Sequence, residues 1–189
     1  MHRCNWTQND ELMNRYHDEE WGVPLHDDRK HFEFLVLDAF QAGLSWKTIL
    51  HRRENFRSAF HNFDPEIIAK YGEEDVGRLL ADAGIIRNKL KINAAVTNAQ
   101  QFLRLQKQHG SFDAYIWQFT GHKTLQNSWE TSGHIPAKTV ESDAMSKALQ
   151  KEGFKFVGST ICYAYMQAAG MVNDHILPCF RYGQVNNMP

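Results

Sequence analysis

The sequence predicts an all-α protein, and three observations support that prediction. Apolar residues recur every three or four positions along most of the chain, which is the period of an amphipathic helix. Strand-like alternation of apolar and polar residues is almost absent. Helix-starting acids and hydroxyls, and helix-ending glycines, occur at short intervals. With 189 residues and 42% hydrophobic content, the chain can form one sizeable core. We therefore expect a single helical domain over residues 1–189.

Helix signals follow one another through the first half of the chain. An apolar stripe over residues 32–43 follows the acidic pair Asp27-Asp28, which suits a helix N-terminus. A second stripe over residues 46–60 follows Ser45, a residue type that caps helices. Asp64-Pro65 is a further start, because aspartate caps a helix and proline fits its first turn.

The second half continues the helical pattern and contains one long interruption. We expect a short helix over residues 76–83, ended by Gly84, and a longer one over residues 92–103. Residues 121–140 are rich in polar, turn-forming types. They predict a long connection that is held in place by Trp129 and Ile135-Pro136.

Composition limits the classes of function. The formal net charge is −1, so any nucleic-acid surface must be local and not a field of the whole protein. Three cysteines cannot all pair with one another. A reducing compartment also favours free thiols or metal ligands over disulfides. The first residues lack the pattern of a secretory signal, and no apolar run approaches the roughly 20 residues that span a bilayer. We expect a cytoplasmic protein with no membrane partner.

The pattern of residues 142–170 predicts a helix, a tight turn and a second helix. The turn contains Lys155 and Gly158, and Ser159-Thr160 opens the second helix. Glycine allows close backbone approach, and the unpaired N–H groups of a helix N-terminus are a site where a phosphate can be bound. This helix-hairpin-helix pattern predicts contact with a DNA backbone. The alternative is an ordinary helical hairpin in which glycine ends the first helix.

Side chains suited to zinc lie at the two ends of the chain. Cys4 and His17 are near the start, and His175 and Cys179 are near the end. Two thiolates and two imidazoles are a full tetrahedral set for one structural Zn²⁺, with no position left for water or substrate. Alternatives remain open from residue types alone: Cys4 is a free thiol and His175 a surface residue, or His2 replaces one ligand.

A carboxylate and several large aromatic rings predict a pocket for a base. Asp38 precedes the break that carries Leu44 and Trp46, and the N-terminal segment supplies further rings. Aromatic rings can stack on a flipped-out base, and a carboxylate beside them can accept hydrogen bonds from its edge. A cationic base gains a cation–π attraction as well. The alternative is that the rings are core residues and that Asp38 is a solvated helix acid. The N-terminal rings are Trp6, Tyr16 and Trp21.

Ordered motifs along nearly the whole chain resemble those of the bacterial 3-methyladenine DNA glycosylase I family. The motifs are RCNW (3–6), YHDEEWGVP (16–24), QAGLSW (41–46), HRRENF (51–56), DAGIIR (82–87), SKAL (146–149), GFKFVGSTICY (153–163) and VNDH (172–175). The resemblance implies a helix-hairpin-helix glycosylase fold with a structural zinc.

The resemblance also implies roles for individual residues. The family's zinc ligands fall on Cys4, His17, His175 and Cys179. Its base pocket falls on a set that adds Gln41 to the rings: Tyr16, Trp21, Gln41 and Trp46.

The resemblance is a less direct guide to the roles of two aspartates, Asp38 and Asp174. Asp38 stands where the family has a glutamate, and its shorter side chain needs a water bridge or a shifted helix to contact the base. The family lacks the catalytic aspartate of related glycosylases, so we expect Asp174, next to ligand His175, to support the zinc.

The implied function is base-excision repair by a monomer acting on double-stranded DNA that contains 3-methyladenine. Methylation at N3 makes adenine a cationic leaving group, so hydrolysis needs mainly positioning, desolvation and capture of the flipped base. We expect Asp38 to orient the base, water to be the nucleophile, and no strand cleavage. Leu44 is the candidate wedge into the space that the base leaves.

Other functions remain to be separated from this one. The main alternative is a lesion-binding, catalytically weak homologue, because Asp38 replaces the family glutamate. A zinc hydrolase is disfavoured by the closed ligand set. A sequence-specific regulator is disfavoured because phosphate contacts do not read bases. We expect residues 180–189 to be a loose tail.

Overall fold

The computed structural model describes residues 2–7 and 9–188, and the chain is mostly helical. The α-helices are α1 (Glu11–Glu19), α2 (Asp28–Gln41), α3 (Trp46–Leu50), α4 (Arg53–Ala59), α5 (Pro65–Ile68), α6 (Glu73–Ala81), α7 (Lys89–His109), α8 (Phe112–Trp117), α9 (Val140–Lys151), α10 (Ser159–Ala168) and α11 (Phe180–Asn186). Short 3-10 helices span Asn5–Thr7, His61–Phe63, Gln118–Thr120 and Ser132–His134.

One small sheet qualifies the all-α prediction. Strand β1 (Leu125–Gln126) pairs in parallel with strand β2 (Val172–Asn173). A strand of two residues is too short to produce a visible alternation of apolar and polar residues in the sequence. The pair ties the connection between α8 and α9 to the segment after α10, so this connection is partly structured.

The capping signals placed most helix starts correctly. Asp27 caps α2 by accepting from the Lys30 amide at 2.9 Å, and Asp64 caps α5 in the same way. The stripe over residues 46–60 was predicted as one helix, which is wrong. It divides into α3 and α4 at His51 and Arg52, and each part has buried residues of its own.

Several helices have no counterpart in the sequence-based prediction. These are α1, α8 and α11. The expectation of a loose tail over residues 180–189 is wrong for the part that the structure describes, and residue 189 lies outside it. Val185 and Arg181 on α11 are buried, and the Phe180 amide donates to the His2 carbonyl at 3.0 Å. These contacts stabilise α11 against the N-terminal segment.

Helices α2 and α7 form the centre of the molecule. Every residue of α2 from His31 to Phe40 is buried, because α3, α7, α8 and α10 all pack around it. The rings of Phe32 and Phe102 join α2 to α7 with centroids 5.1 Å apart, and Phe112 stacks on Phe102 at 4.2 Å. Side chains that leave α2 toward α1 and α10 are therefore held by a rigid core.

Across the residues that the structure describes, no helix combines the length and the apolar character needed to cross a membrane.

Candidate functional site

A cavity of about 560 Å³ opens where several elements meet. These are the N-terminal segment with α1, the end of α2, the start of α3, the segment over residues 132–137 and the first part of α10. The lining residues include every position predicted for the base pocket: Trp6, Tyr16, Trp21, Asp38, Gln41 and Trp46. The structure thus brings together side chains that are far apart in sequence.

Four aromatic rings form a continuous wall of this pocket. The centroids of Trp6 and Trp21 are 5.0 Å apart, those of Trp6 and Tyr16 6.3 Å, and those of Tyr16 and Trp46 5.2 Å. Neighbouring rings are tilted or edge-on to one another. A flat ligand therefore has one aromatic wall on which to stack.

Three ionisable side chains of α2 lie on its buried stretch, and only one faces the pocket. His31 is hydrogen-bonded to Asp113 and Tyr165, and Glu33 is paired with Arg53. Asp38, only 2% exposed, has no hydrogen-bond partner among the described residues. Burial therefore raises its pKa well above the usual carboxyl range. An unpartnered buried acid is costly, and it marks a functional site.

Further polar atoms in the pocket also lack partners. Within the described part of the chain, five buried side-chain atoms make no hydrogen bond, and four belong to pocket residues: Trp6 Nε1, Asp38 Oδ2, Trp46 Nε1 and Ser132 Oγ. Two indole N–H donors, a hydroxyl and a carboxyl group suit a flat ligand with both donors and acceptors on its edge.

The break after α2 places Gln41 and Trp46 at the pocket. Gln41 is the last residue of α2, and Gly43 follows with a φ of +79°, which glycine adopts without strain. Ser45 then caps α3 by accepting from the Thr48 amide at 3.2 Å. Trp46 is consequently fixed at the first position of α3.

Cys4, His17, His175 and Cys179 meet in one buried cluster whose ligand atoms all lie within 4.8 Å of one another. Cys179 Sγ is 3.4 Å from His17 Nε2 and 3.6 Å from His175 Nδ1, and Cys4 Sγ is 3.8 Å from His175 Nδ1. Tetrahedral zinc places sulfur and nitrogen donors about 3.6 Å apart. The donor set and its spacing therefore fit a metal. His2 is exposed and outside the cluster.

The second nitrogen of each histidine is held away from the cluster. His17 Nδ1 donates to Asp18 at 2.8 Å, and Asp18 is itself paired with Arg3 at 2.7 Å. His175 Nε2 donates to the Trp21 carbonyl oxygen at 2.9 Å. These bonds select the tautomers that direct His17 Nε2 and His175 Nδ1 inward.

The expectation that Asp174 supports the metal is wrong. Asp174 accepts hydrogen bonds from side chains of the β1 segment and of α10, and none of these belongs to the cluster. Asp18 is the carboxylate that contacts a clustered histidine. The donors to Asp174 are Asn127, Trp129, Tyr163 and Gln167.

The residues predicted to contact DNA lie around the pocket and not in it, with one exception. Thr160, on the first turn of α10, lines the pocket. Lys155 and Gly158 are exposed in the turn before α10, and Ser159 is half-buried. Leu44 is 41% exposed in the break after α2 and is not a lining residue.

Sequence reasoning missed the far side of the pocket. Ser132, Ile135 and Pro136 come from the connection before α9, and Tyr163 and Gln167 come from α10. The apolar pair Ile135-Pro136 within a polar stretch is the one local signal, and by itself it predicts only an anchor for the connection. Nothing local indicates that Ser132 lies beside the pocket of Asp38.

The chain belongs to the methyladenine glycosylase family, whose model its sequence matches over residues 6–182. DNA-3-methyladenine glycosylase 1 of Escherichia coli (strain K12) is 50% identical to it over 182 residues, which cover 96% of this chain and 97% of that protein.

Comparison with solved structures gives the same family relationship. A crystal structure of 3-methyladenine DNA glycosylase I has 50% sequence identity and a TM-score of 0.92, covering 95% of this chain and 98% of the other. The Staphylococcus aureus 3-methyladenine DNA glycosylase I, solved to explain its recognition of 3-methyladenine, has 32% identity and a TM-score of 0.91. That match covers 94% of this chain and 95% of the other.

Proposed function

We propose that this protein is a DNA-3-methyladenine glycosylase that removes 3-methyladenine from alkylated DNA in base-excision repair. Relatives that match nearly the whole chain carry this name. The observation that carries the proposal is the unpartnered Asp38 beside a wall of four aromatic rings in one pocket. That combination suits a flat cation better than it suits a neutral purine.

The base is bound after it leaves the DNA stack. 3-Methyladenine stacks on the wall formed by Tyr16 and Trp46, where the electron-poor ring gains cation–π attraction. Asp38 accepts from the exocyclic amino group, and an indole N–H or the Ser132 hydroxyl donates to a ring nitrogen. Gln41 lies at the end of α2 and can bond the same edge.

The reaction is a hydrolysis with water as nucleophile. The N9–C1′ bond breaks and its electron pair moves to the base, which leaves as neutral 3-methyladenine. Water forms the new C1′–O bond and releases one proton to solvent. Because the methylated base is already a good leaving group, the protein supplies positioning, desolvation and a counter-charge from Asp38. No covalent intermediate is involved, so the DNA strand stays intact.

Base release from methylated duplex DNA tests this proposal. Purified, metal-loaded protein is expected to release 3-methyladenine without cutting the strand. The absence of any base release would sink the enzymatic proposal and leave a lesion-binding protein.

Asp38→Glu separates the two functions further. An inert wild type that becomes active in the variant would favour the lesion-binding alternative. Two active proteins would show that the shorter acid supports excision.

DNA binding is assigned to the helix-hairpin-helix formed by α9, α10 and the turn between them. Lys155 and the backbone at Gly158, Ser159 and Thr160 are proposed to contact phosphates next to the pocket. Leu44 is proposed to fill the space that the flipped base leaves. Support comes from the exposure of these residues around the pocket that takes the base.

We further propose that the Cys4, His17, His175 and Cys179 cluster binds one structural Zn²⁺. The donor spacing and the fixed histidine tautomers support this assignment. A metal held by four protein ligands has no open position, so it supplies folding energy and does not act on the substrate. The zinc joins the two ends of the chain beside the pocket.

The chain is proposed to act as one domain and as a monomer. One hydrophobic cluster extends from Cys4 to Cys179 and includes residues of almost every helix, which supports a single domain. Light scattering with and without DNA tests the monomer assignment.

A further inference from the structure

Two exposed cations lie at the start of α7, one on its first turn and one just before its N-cap, and neither the pocket nor the Cys/His cluster uses them. Arg87 and Lys89 are exposed, and Leu90 beside them is 73% exposed. Arg87 ends the DAGIIR motif (82–87) and Lys89 and Leu90 follow it; the motif lines neither the pocket nor the cluster. We call Arg87, Lys89 and Leu90 the α7 patch.

The two cations of the patch are free of carboxylate partners. Over residues 2–7 and 9–188, neither Arg87 nor Lys89 forms a salt bridge, whereas Arg3, Arg53 and Arg57 all do. An unpaired, exposed cation has no carboxylate that a phosphate must displace.

The turn that precedes the patch is held rigidly. Arg52 Nη1 donates to the carbonyl oxygens of Ala83 at 3.0 Å and Gly84 at 3.1 Å, and Asn55 adds a bond to Gly84 at 3.3 Å. Asp82 accepts from the Gly84 amide at 2.7 Å. Exposed turns are normally mobile, whereas these bonds fix the backbone at Ala83 and Gly84, four and three residues before Arg87.

Lys91 joins the first turn of α7 to the end of α2. Its Nζ donates to the carbonyl oxygens of Phe40 at 2.8 Å and Ala42 at 2.6 Å, at the end of α2. Lys91 is 6% exposed, so the contact is a fixed part of the fold. Ala42 is two residues before Leu44, so this contact holds the first turn of α7, which carries Lys89 and Leu90, on the side of the pocket where the candidate wedge lies.

Helix α7 also holds the turn between α9 and α10. The Asn98 side chain donates to the Lys155 carbonyl at 3.0 Å and accepts from the Lys155 amide at 2.8 Å. Asn98 is nine residues after Lys89, which is about 14 Å along a helix and roughly four base steps of a DNA strand. Helix α7 therefore sets the distance between the α7 patch and the turn that carries Lys155.

We propose that the α7 patch binds duplex DNA through its phosphates, as a second backbone contact on the Leu44 side of the pocket. Arg87 and Lys89 each neutralise a phosphate, and Leu90 packs on the adjoining sugars. The inference rests on the proposed function, because it takes the occupant of the pocket to be a nucleotide of duplex DNA. The surface supplies affinity and position, and it reads no sequence.

The double variant Arg87→Gln/Lys89→Gln tests the patch. The probes are a duplex with a tetrahydrofuran abasic site and free 3-methyladenine, with binding of the base followed by tryptophan fluorescence. Duplex affinity is expected to fall at least about tenfold at low salt, and the salt slope by about 1 for each phosphate that the variant no longer neutralises. Affinity for the free base is expected to stay unchanged.

Lys107→Gln is the matched control, because Lys107 is exposed on the last turn of the same helix, about 27 Å from Lys89. It should leave duplex affinity unchanged. Wild-type duplex affinity and salt slope in the double variant would overturn the proposal. Failure of the wild type to bind free 3-methyladenine would instead count against the proposed function, so the two failures are distinguishable.

Discussion

His175 donates a hydrogen bond of 2.9 Å from Nε2 to the backbone carbonyl oxygen of Trp21. The rings of the two residues also meet edge to face at 4.7 Å. Trp21 lines the pocket, and His175 belongs to the cluster of two cysteines and two histidines. His17 of the cluster also stacks on Trp21 at 6.1 Å and lies 5.4 Å from the ring of Trp6, so the cluster packs directly against the aromatic wall of the pocket.

Removal of the metal should lower stability and base affinity together. Loss of a structural zinc is expected to remove about 3 kcal/mol or more, which lowers the Tm by about 10 °C for a chain of this size. Trp21 then loses its anchor, so affinity for free 3-methyladenine falls. Metal analysis, thermal melts with and without chelator, and fluorescence titration measure the three quantities.

His2→Ala is the control for metal removal, because His2 is exposed and outside the cluster. It should keep one zinc per chain and the wild-type Tm. A chelated protein with unchanged Tm and unchanged base affinity would refute the coupling.

Local sequence signals predicted much of the fold because capping and periodicity act within one turn. Asp27 and Asp64 marked the starts of α2 and α5 correctly, since their side chains bond amides two or three residues away. Capping of this kind is short-range chemistry and is readable from the sequence. The side-chain types of Cys4 and His175 alone left several roles open, and the family resemblance selected their shared cluster.

Features that depend on distant contacts could not be predicted in this way. The division between α3 and α4 and the stability of α11 depend on packing against other elements, not on local pattern. Ser132 comes from a polar connection that is placed by pairing of β1 with β2. Asp174 was misassigned because its sequence neighbour is a ligand, whereas its partners lie on other segments.

Asp174→Ala should destabilise the protein by about 3 kcal/mol. The carboxylate accepts four hydrogen bonds of 2.7 to 2.8 Å, and its loss leaves buried donors such as the Tyr163 hydroxyl unpaired. Base affinity should fall as well, because Tyr163 and Gln167 line the pocket. Chemical denaturation measures the change in unfolding free energy.

Metal content is the control for the Asp174 variant, because its carboxylate bonds no clustered residue. One zinc per chain should remain. Loss of zinc with intact stability would mean that Asp174 supports the metal after all.

Gly170→Ala should cost at least about 3 kcal/mol of unfolding free energy. Gly170 has a φ of +67°, and an added Cβ would lie 2.2 Å from the Val23 carbonyl carbon. That atom is backbone, so no side chain can move to relieve the clash. Gly77→Ala on α6 is the matched control, because nothing lies within 4 Å of its Cβ position. It should raise stability by up to about 1 kcal/mol, and equal melting temperatures for the two variants would contradict this account.

Asp38→Asn should stabilise the free protein above pH 4, and the gain should grow as pH rises. Burial raises the pKa of Asp38 in the folded state well above the value of about 4 expected for the unfolded chain. Between these two pKa values the folded state binds more protons than the unfolded state, so wild-type stability falls as pH increases. Asparagine does not titrate and escapes this loss. Denaturation curves of both proteins from about pH 4 to about pH 8 measure the difference.

The same variant should bind 3-methyladenine less tightly, because its amide offers one acceptor oxygen where the carboxyl group offers two, and it presents N–H donors to the exocyclic amino group. A side chain that lowers the stability of the free protein but raises its affinity for a ligand is typical of a binding site. If the wild type and Asp38→Asn had parallel stability curves over this pH range, Asp38 would be ionised in the folded protein, and burial would not control its charge.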